Sequence, residues 1–330
     1  MANSLRTAII GYGISGRISH ADAMRPNPAF NIVAVCDLMK ENRDRAASDL
    51  NCSVYADYKE MLSNENLDLV SIVTRSDTHA SIACDCLEAG LHTVVTKPWA
   101  LNQEEAKTML AAEKSSNGKI FPWIPMYWSP DYKCITDLLS KKLIGDIFLI
   151  RRYYSDFRYR TDWQTEKCYG GGYLLNWGMH LIQPVISLAQ SPTKRVFGQL
   201  QQAINPGDAD DNFMAVMEFE NGIRGVAEFT QSIHPFPGFV IQGARGTIVS
   251  NASSVTVNRA NPAKPEEVDT EVYQLEGKQF GDESEIYNDI AANLLEGAPY
   301  SITSDLALEG TIVLDAVRLS HELRQTVEIS

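Results

Sequence analysis

The stretch Gly11-Tyr12-Gly13-Ile14-Ser15-Gly16 directly follows the apolar run Thr7–Ile10 and opens into a segment of helical character. A strand that ends in G-x-G-x-x-G and passes into a helix is the turn a dinucleotide-binding βαβ unit requires. Gly11 permits the tight turn, Gly13 lets a pyrophosphate approach the backbone, and Gly16 allows the helix to pack closely on the strand. The helix N-terminus, with Ile14 and Ser15 in its first turn, supplies amides and a positive dipole end to the phosphates. A glycine-rich turn without a ligand shares the composition but has no need of that strand and helix.

The rest of the first third repeats the alternation. Asn31–Asp37, Leu67–Thr74 and His92–Lys97 are short, β-branched strands, and helical stretches lie at 15–25, 40–49, 57–63 and 78–90. Strands alternating with helices imply a parallel sheet covered on both faces, and near-continuous apolar strands fit that burial. A further helix over 104–118 stops at Asn117-Gly118. Pro122 and Pro125 mark a boundary, so the expected domains are 1–124 and 125–330.

Beyond the boundary the pattern changes. Residues 144–157 begin a long strand, and Asp211–Thr230 alternates with period two around Asn221-Gly222, a dipeptide suited to a type I′ hairpin turn. Two more strands flank the glycine-rich turn in 238–250, residues 258–269 read as an exposed loop, and amphipathic helices near 282–297 and 304–325 close the chain. The expected fold class is α/β, with the second domain an α+β unit built on a large, mainly antiparallel open sheet.

At 330 residues two domains are the natural division, and an apolar fraction of 44% supports a sizeable core. A formal charge of -13 argues against nucleic acid and against an anionic membrane surface as partners. No segment reaches the roughly 18 consecutive apolar residues of a membrane span. The N-terminus has no room for a signal peptide ahead of the first strand. The six cysteines are scattered without zinc spacing, so they read as reduced, mostly buried thiols of a cytoplasmic protein, and no metal is expected.

Asp37 closes the second strand about 20 residues beyond the glycines, where a carboxylate can bind the ribose hydroxyls and repel a 2′-phosphate. NAD is therefore expected over NADP. Arg43 and Arg45 fall on the next helix, too far along to clamp such a phosphate. Asp37 could equally cap that helix. Lys97-Pro98 ends a parallel strand, so the ammonium projects from the carboxyl edge where open α/β sheets bind ligands. There it could bind a substrate oxygen or move a proton, or remain a solvated surface lysine.

Taken in order, the glycine motif, the strand-ending Asp37, T-x-x-x-x-H at Thr74–His79, Thr96-Lys97-Pro98 and the run Gly170–His180 (GGGYLLNWGMH) resemble the glucose–fructose oxidoreductase and inositol dehydrogenase (Gfo/Idh/MocA) family over essentially the whole chain. The resemblance implies a Rossmann domain joined to a C-terminal sheet domain. It implies NAD(P)-linked oxidation or reduction of a ring carbinol in a sugar or cyclitol, and assembly as a homodimer or homotetramer through the open sheet face. It places Gly11, Gly13, Ile14, Ser15, Gly16, Asp37, Thr74, Ser76, His79, Lys97 and Pro98 at the cofactor. Lys97 and His180 match the catalytic positions, with Asn176 beside them. Asn176 and His180, at i and i+4 of a helix starting near Tyr173, share a face, which the resemblance points toward Lys97. Imidazole suits removal of a hydroxyl proton near neutral pH. A glycine-rich entry would let backbone approach the nicotinamide and sugar closely.

The family usually has E-K-P where this chain has Thr96-Lys97-Pro98, and Asp where it has Asn176. Asn cannot act as a base, and the two changes remove acidic neighbours from Lys97. Tyr127, beside Trp128, follows the domain boundary where the family often contacts substrate. Arg158, Arg160, Asp162 and Trp163 interleave cations with aromatics and could line a sugar pocket, while Arg151 and Arg152 read as surface residues paired with acids. Two rival functions remain: an NAD-using glycosidase acting by transient oxidation, and a non-catalytic dinucleotide sensor.

Overall fold

A computed structural model describes residues 4–261 and 263–329. The chain divides into two compact units, one comprising Met1–Ile124 with Glu283–Leu308, the other Pro125–Asp282 with Glu309–Ser330. The segment Glu283–Leu308 thus returns to the first unit, which a single cut after residue 124 does not describe.

The first unit is built on strands β1 (Leu5–Ile10), β2 (Phe30–Cys36), β3 (Ser53–Tyr55), β4 (Leu69–Ile72), β5 (His92–Thr96) and β6 (Ile120–Trp123). They pair in parallel in the order β3-β2-β1-β4-β5-β6, the strand order of a dinucleotide-binding sheet. Ala8, Ile9, Val35, Leu69, Val70, Val94 and Val95 are fully buried, because helices on both faces leave no solvated side. The labelled helices here are α1 (Lys40–Leu50), α2 (Tyr58–Asn64), α3 (His79–Glu88) and α4 (Gln103–Ser115). The helix entered from the glycine turn widens into a π-helical turn at Gly16–Ala21.

Within the second unit, helices α5 (Pro130–Ser140) and α6 (Tyr173–Ala189) pack on one face of a nine-stranded sheet. Its strands are β7 (Ile147–Asp156), β8 (Thr193–Gln201), β9 (Asn212–Phe219), β10 (Arg224–Gln231), β11 (Phe239–Gly243), β12 (Gly246–Asn251), β13 (Ser254–Asn261), β14 (Lys264–Gln274) and β15 (Val327–Glu328), in the order β14-β13-β12-β11-β7-β10-β9-β8-β15. Every pairing is antiparallel except β7 with β10. Along β9 the alternation is strict, with Phe213, Ala215, Met217 and Phe219 buried against the helices. Helices α7 (Glu283–Glu296) and α8 (Ser304–Leu323) complete the chain.

Four expectations need correction. Much of 258–269 is not a loop: β13 and β14 run through it as paired strands, since a backbone ladder forms without apolar side chains. The β9–β10 turn is not type I′. Gly222 alone has a positive φ, +85°, and its N–H donates to Phe219 O at 2.9 Å, giving a three-residue loop with glycine in the left-handed position. Arg152 is not on the surface: it is 4% exposed, its guanidinium 4.2 Å from the Phe239 ring and 3.3 Å from Asp131. The cysteines are free, but only Cys36 and Cys86 are buried, and Cys168 is exposed. Among the described residues no helix is long and apolar enough to cross a membrane, and no cluster of His, Cys, Asp and Glu could hold a metal ion.

Candidate active site

The dinucleotide motif of the first unit lies at the carboxyl edge of its parallel sheet, where β1 and β4 diverge to connections on opposite faces. Gly11 turns the chain at φ +96°, and a Cβ there would lie 2.3 Å from Val73 O. Above exposed Gly13 an added Cβ meets nothing within 4 Å. That open space over a helix N-terminus is what a pyrophosphate needs, so the turn fits a dinucleotide.

Asp37 accepts from Tyr12 N at 2.7 Å through one carboxylate oxygen and from Met39 N at 2.8 Å through the other. It ties the glycine turn to the loop after β2. Arg43 Nη1 donates to Asp37 O at 2.8 Å and Leu38 O at 2.9 Å, so its guanidinium holds the loop after β2. Leu38, Met39 and Ile14 are 86%, 59% and 75% exposed around this turn, an apolar surface suited to an adenine ring. Sequence reading passed over Leu38 and Met39. Apolar residues straight after a strand-ending acid were the available signal.

His79 is buried at the start of α3. Its Nδ1 lies 2.8 Å from Pro98 O and its Nε2 3.0 Å from Thr74 O, so the neutral ring, with a single N–H, donates to one of these carbonyls and packs against the other. Burial lowers its pKa, partly opposed by the two carbonyls, while the charge of Lys97 lowers it further. Ser76 is also buried, and the Thr74 hydroxyl meets that of Thr78 at 2.7 Å. Thr96 donates to Ile72 O at 3.0 Å, so the residue replacing the usual Glu is spent on the backbone. Lys97 is half-exposed beyond it.

In the second unit, α6 carries Asn176 and His180. Its N-cap, Gly172, has φ +107° and no side chain to cap with. Asp210 caps the helix from a distant loop, its carboxylate accepting from Leu174 N at 2.7 Å and its carbonyl from Tyr173 N at 2.8 Å. A Cβ on Gly172 would lie 2.6 Å from Asp210 Oδ1, and one on Gly171 2.6 Å from Gln164 O. Gly171 and Gly172 thus make room for the protein's own 164–166 turn and capping loop. Burial raises the Asp210 pKa, offset in part by the Leu174 amide. Neither Asp210 nor Gln164 was legible as a site residue.

Asn176 is half-exposed and donates to Gln164 Oε1 at 2.8 Å. The bond ties the first turn of α6 to the turn that carries Gln164. His180, one turn on, is 8% exposed, its ring 5.6 Å from that of Trp177. Asn176 and Trp177 are the half-exposed residues on this otherwise buried half of α6.

The remaining candidates are drawn into local contacts. Tyr127 is buried, and its hydroxyl bonds Ser187 Oγ and Gln183 O, so it packs against α6 rather than offering a free hydroxyl. Arg160 forms a two-pronged pair with Asp162, and Arg158 pairs with Asp156 at 3.2 Å. Asp162 also caps the short turn that contains half-buried Trp163 and presents Gln164. That loop therefore reaches Asn176 through Gln164.

Residues 5–122 match the family described as "Oxidoreductase family, NAD-binding Rossmann fold", and residues 132–249 match "GFO/IDH/MocA C-terminal domain". The chain is 26% identical over 253 residues to the Escherichia coli uncharacterized oxidoreductase YdgJ, covering 76% of this chain and 72% of that one. It is 21% identical to the Bacillus subtilis scyllo-inositol 2-dehydrogenase (NADP(+)) IolW, across 98% and 96% of the two chains. A levoglucosan dehydrogenase solved with NADH superposes with a TM-score of 0.89 at 22% identity, covering 99% of this chain and 100% of that one. The two family domains account for more than half the sequence, and the protein belongs to the Gfo/Idh/MocA family of oxidoreductases.

Proposed function

We propose that the protein is an NAD-dependent dehydrogenase, or the reductase running in reverse, acting on a ring carbinol of a sugar, sugar derivative or cyclitol. The observation that carries the reading is the helix α6. It presents Asn176 and His180 one turn apart, with its N-terminus held by Asp210 and Asn176 held by Gln164, in a chain whose first unit has a dinucleotide turn and an acid at the ribose position.

His180 takes the hydroxyl proton of the carbinol, Asn176 orients that hydroxyl, and Lys97 polarises the oxygen as the carbonyl forms. The bound nicotinamide supplies the acceptor for the hydride leaving the same carbon. Carbinol and oxidised cofactor become carbonyl, reduced cofactor and one proton. The names of IolW and of levoglucosan dehydrogenase point to a cyclitol and an anhydrosugar, which supports the substrate class. IolW is named for NADP and the levoglucosan enzyme was solved with NADH, so for this chain the choice of NAD rests on Asp37.

The test is a panel of sugars and cyclitols with NAD and NADP, followed by absorbance of the reduced cofactor. A substrate should accumulate reduced cofactor in step with its oxidation, and Lys97→Met and His180→Ala should each lower kcat by about 100-fold or more. Glycoside cleavage without net cofactor reduction would replace this reading by a hydrolase.

A further inference from the structure

Beside the catalytic face of α6, the second unit holds a pocket of about 540 Å³, within the roughly 300–1,000 Å³ range of small-molecule sites. Its lining comes from the start of α5, the loop between β10 and β11, the turn between β12 and β13, the end of β7 and the segment before α7. None of Asn176, His180 or Gln164 lines it. One aromatic layer separates them. The Trp177 ring stacks on Tyr154 at 4.1 Å and meets Phe280 at 6.1 Å, and Tyr154 and Phe280 are pocket walls.

The chemistry of the walls is specific. Tyr153, Tyr154, Phe236 and Phe280 offer ring faces, while Asn251 and Gln279 offer amides. The charged members are Arg152 and Asp131, which pair with each other at 3.3 Å. Asp131 is well supplied with donors: Ser129 Oγ, Tyr132 N, Arg152 Nη1 and Ser250 Oγ. Arg152 is not so well supplied with acceptors. Beyond Asp131 its guanidinium meets the Met126 sulfur at 3.9 Å and the Phe239 ring at 4.2 Å, and its buried Nε has no hydrogen-bond partner. That Nε is closed off even from water, so Arg152 contributes a paired cationic wall to the cavity. An anionic ligand would meet Asp131 next to Arg152, so the pair favours a neutral one. Ring faces with the Asn251 and Gln279 amides suit a neutral, hydroxylated ring, whose C–H faces stack on aromatics while its edge hydroxyls bond.

We propose that the substrate is a glycoside or oligosaccharide, and that this pocket holds the sugar ring that is not oxidised. The proposal rests on the dehydrogenase reading above and narrows its substrate class. The oxidised ring sits at Asn176 and His180, and its neighbour passes over the Trp177–Tyr154 layer into the pocket.

Calorimetric titration of the NAD-saturated protein with glucose and methyl glucoside, and with maltose, cellobiose and trehalose, tests this directly. At least one disaccharide should bind about tenfold more tightly than the monosaccharides, equivalent to ~1.4 kcal/mol. Phe236→Ala combined with Asn251→Ala should return that ratio to about one. Both residues are exposed, so the substitutions spare the core. A ratio of one in the unaltered protein, or a ratio that survives both substitutions, overturns the subsite. If monosaccharides still reduce the cofactor in that case, the dehydrogenase reading stands without it. If disaccharides bind with the expected ratio but no sugar reduces either cofactor, the pocket stands and the redox reading falls.

Discussion

His20 sits in the π-helical turn that follows the glycine motif, wholly buried, its Nδ1 2.6 Å from the Tyr287 hydroxyl and its ring 4.6 Å from that of Trp123. Burial pushes its pKa from 6.5 down to about 3. The folded state refuses a proton that the unfolded chain accepts, so this stability is complete above pH 6.5 and is lost as pH falls toward 3. Denaturant unfolding between pH 7 and pH 4 should show the loss. His20→Gln, which still has a polar group for Tyr287, should flatten the slope by up to about 1.4 kcal/mol per pH unit. Parallel slopes would show that His20 titrates normally. Asp37 makes a second prediction. The ribose-binding role proposed for Asp37 leads to the expectation that NAD binds more tightly than NADP. Asp37→Ala should weaken NAD, because Tyr12 N and Met39 N lose their acceptor, and should shift the NAD-to-NADP affinity ratio at least about tenfold toward NADP. Titration of both cofactors reads that ratio, and an unmoved ratio would remove Asp37 from the choice.

The helix α6 depends on a cap it does not encode locally. With Gly172 at the N-cap, Asp210 supplies the acceptor, and Asp210→Ala leaves Leu174 N without it. A lost cap costs about 0.5–2 kcal/mol, and the loosened first turn carries Asn176. Asp210→Ala should therefore lower unfolding stability by about that amount and lower kcat more than it raises KM. Asp210→Asn, which keeps one acceptor oxygen, should recover most of both. Equal losses in the two variants would mean that the charge, not the cap, matters. β14 teaches the opposite lesson about local signals. It is polar and charged, yet it pairs with β13 along most of its length, because an antiparallel ladder is satisfied by backbone groups whatever the side chains.

The second unit's helices cover one sheet face, and the other carries a cross-strand row. Phe197, Val216, Val226, Arg151, Val240, Val249, Thr256 and Val272 stand opposite one another in successive strands. Phe197 is 38% and Val272 55% exposed. A row that is apolar in six of its eight positions, with Arg151 and Thr256 the exceptions, is expected to be covered by a partner surface. The protein should therefore be a homodimer or homotetramer, and Val226→Lys, in the middle of the row, should shift it to a smaller species in light scattering. A monomer throughout the micromolar range before any substitution would refute this.

Much was decided within short windows of sequence. The Gly11–Gly16 motif between strand and helix, the β-branched runs of the parallel sheet, the period-two alternation of β9 and β10, and the i, i+4 spacing of Asn176 and His180 each depend on neighbours a few residues apart. Periodicity and turn chemistry report such neighbours directly. Tertiary structure alone decided the partners. Asp210 reaches the α6 amides from 36 positions away, and Tyr287 reaches His20 from 267. Arg152 is buried because Asp131 and Phe239 arrive from other elements, although its own strand reads as an exposed basic one. No local pattern records which distant group will fill a bare N-cap, accept a buried proton or neutralise a buried charge, since those energies exist only once long-range packing brings the groups together.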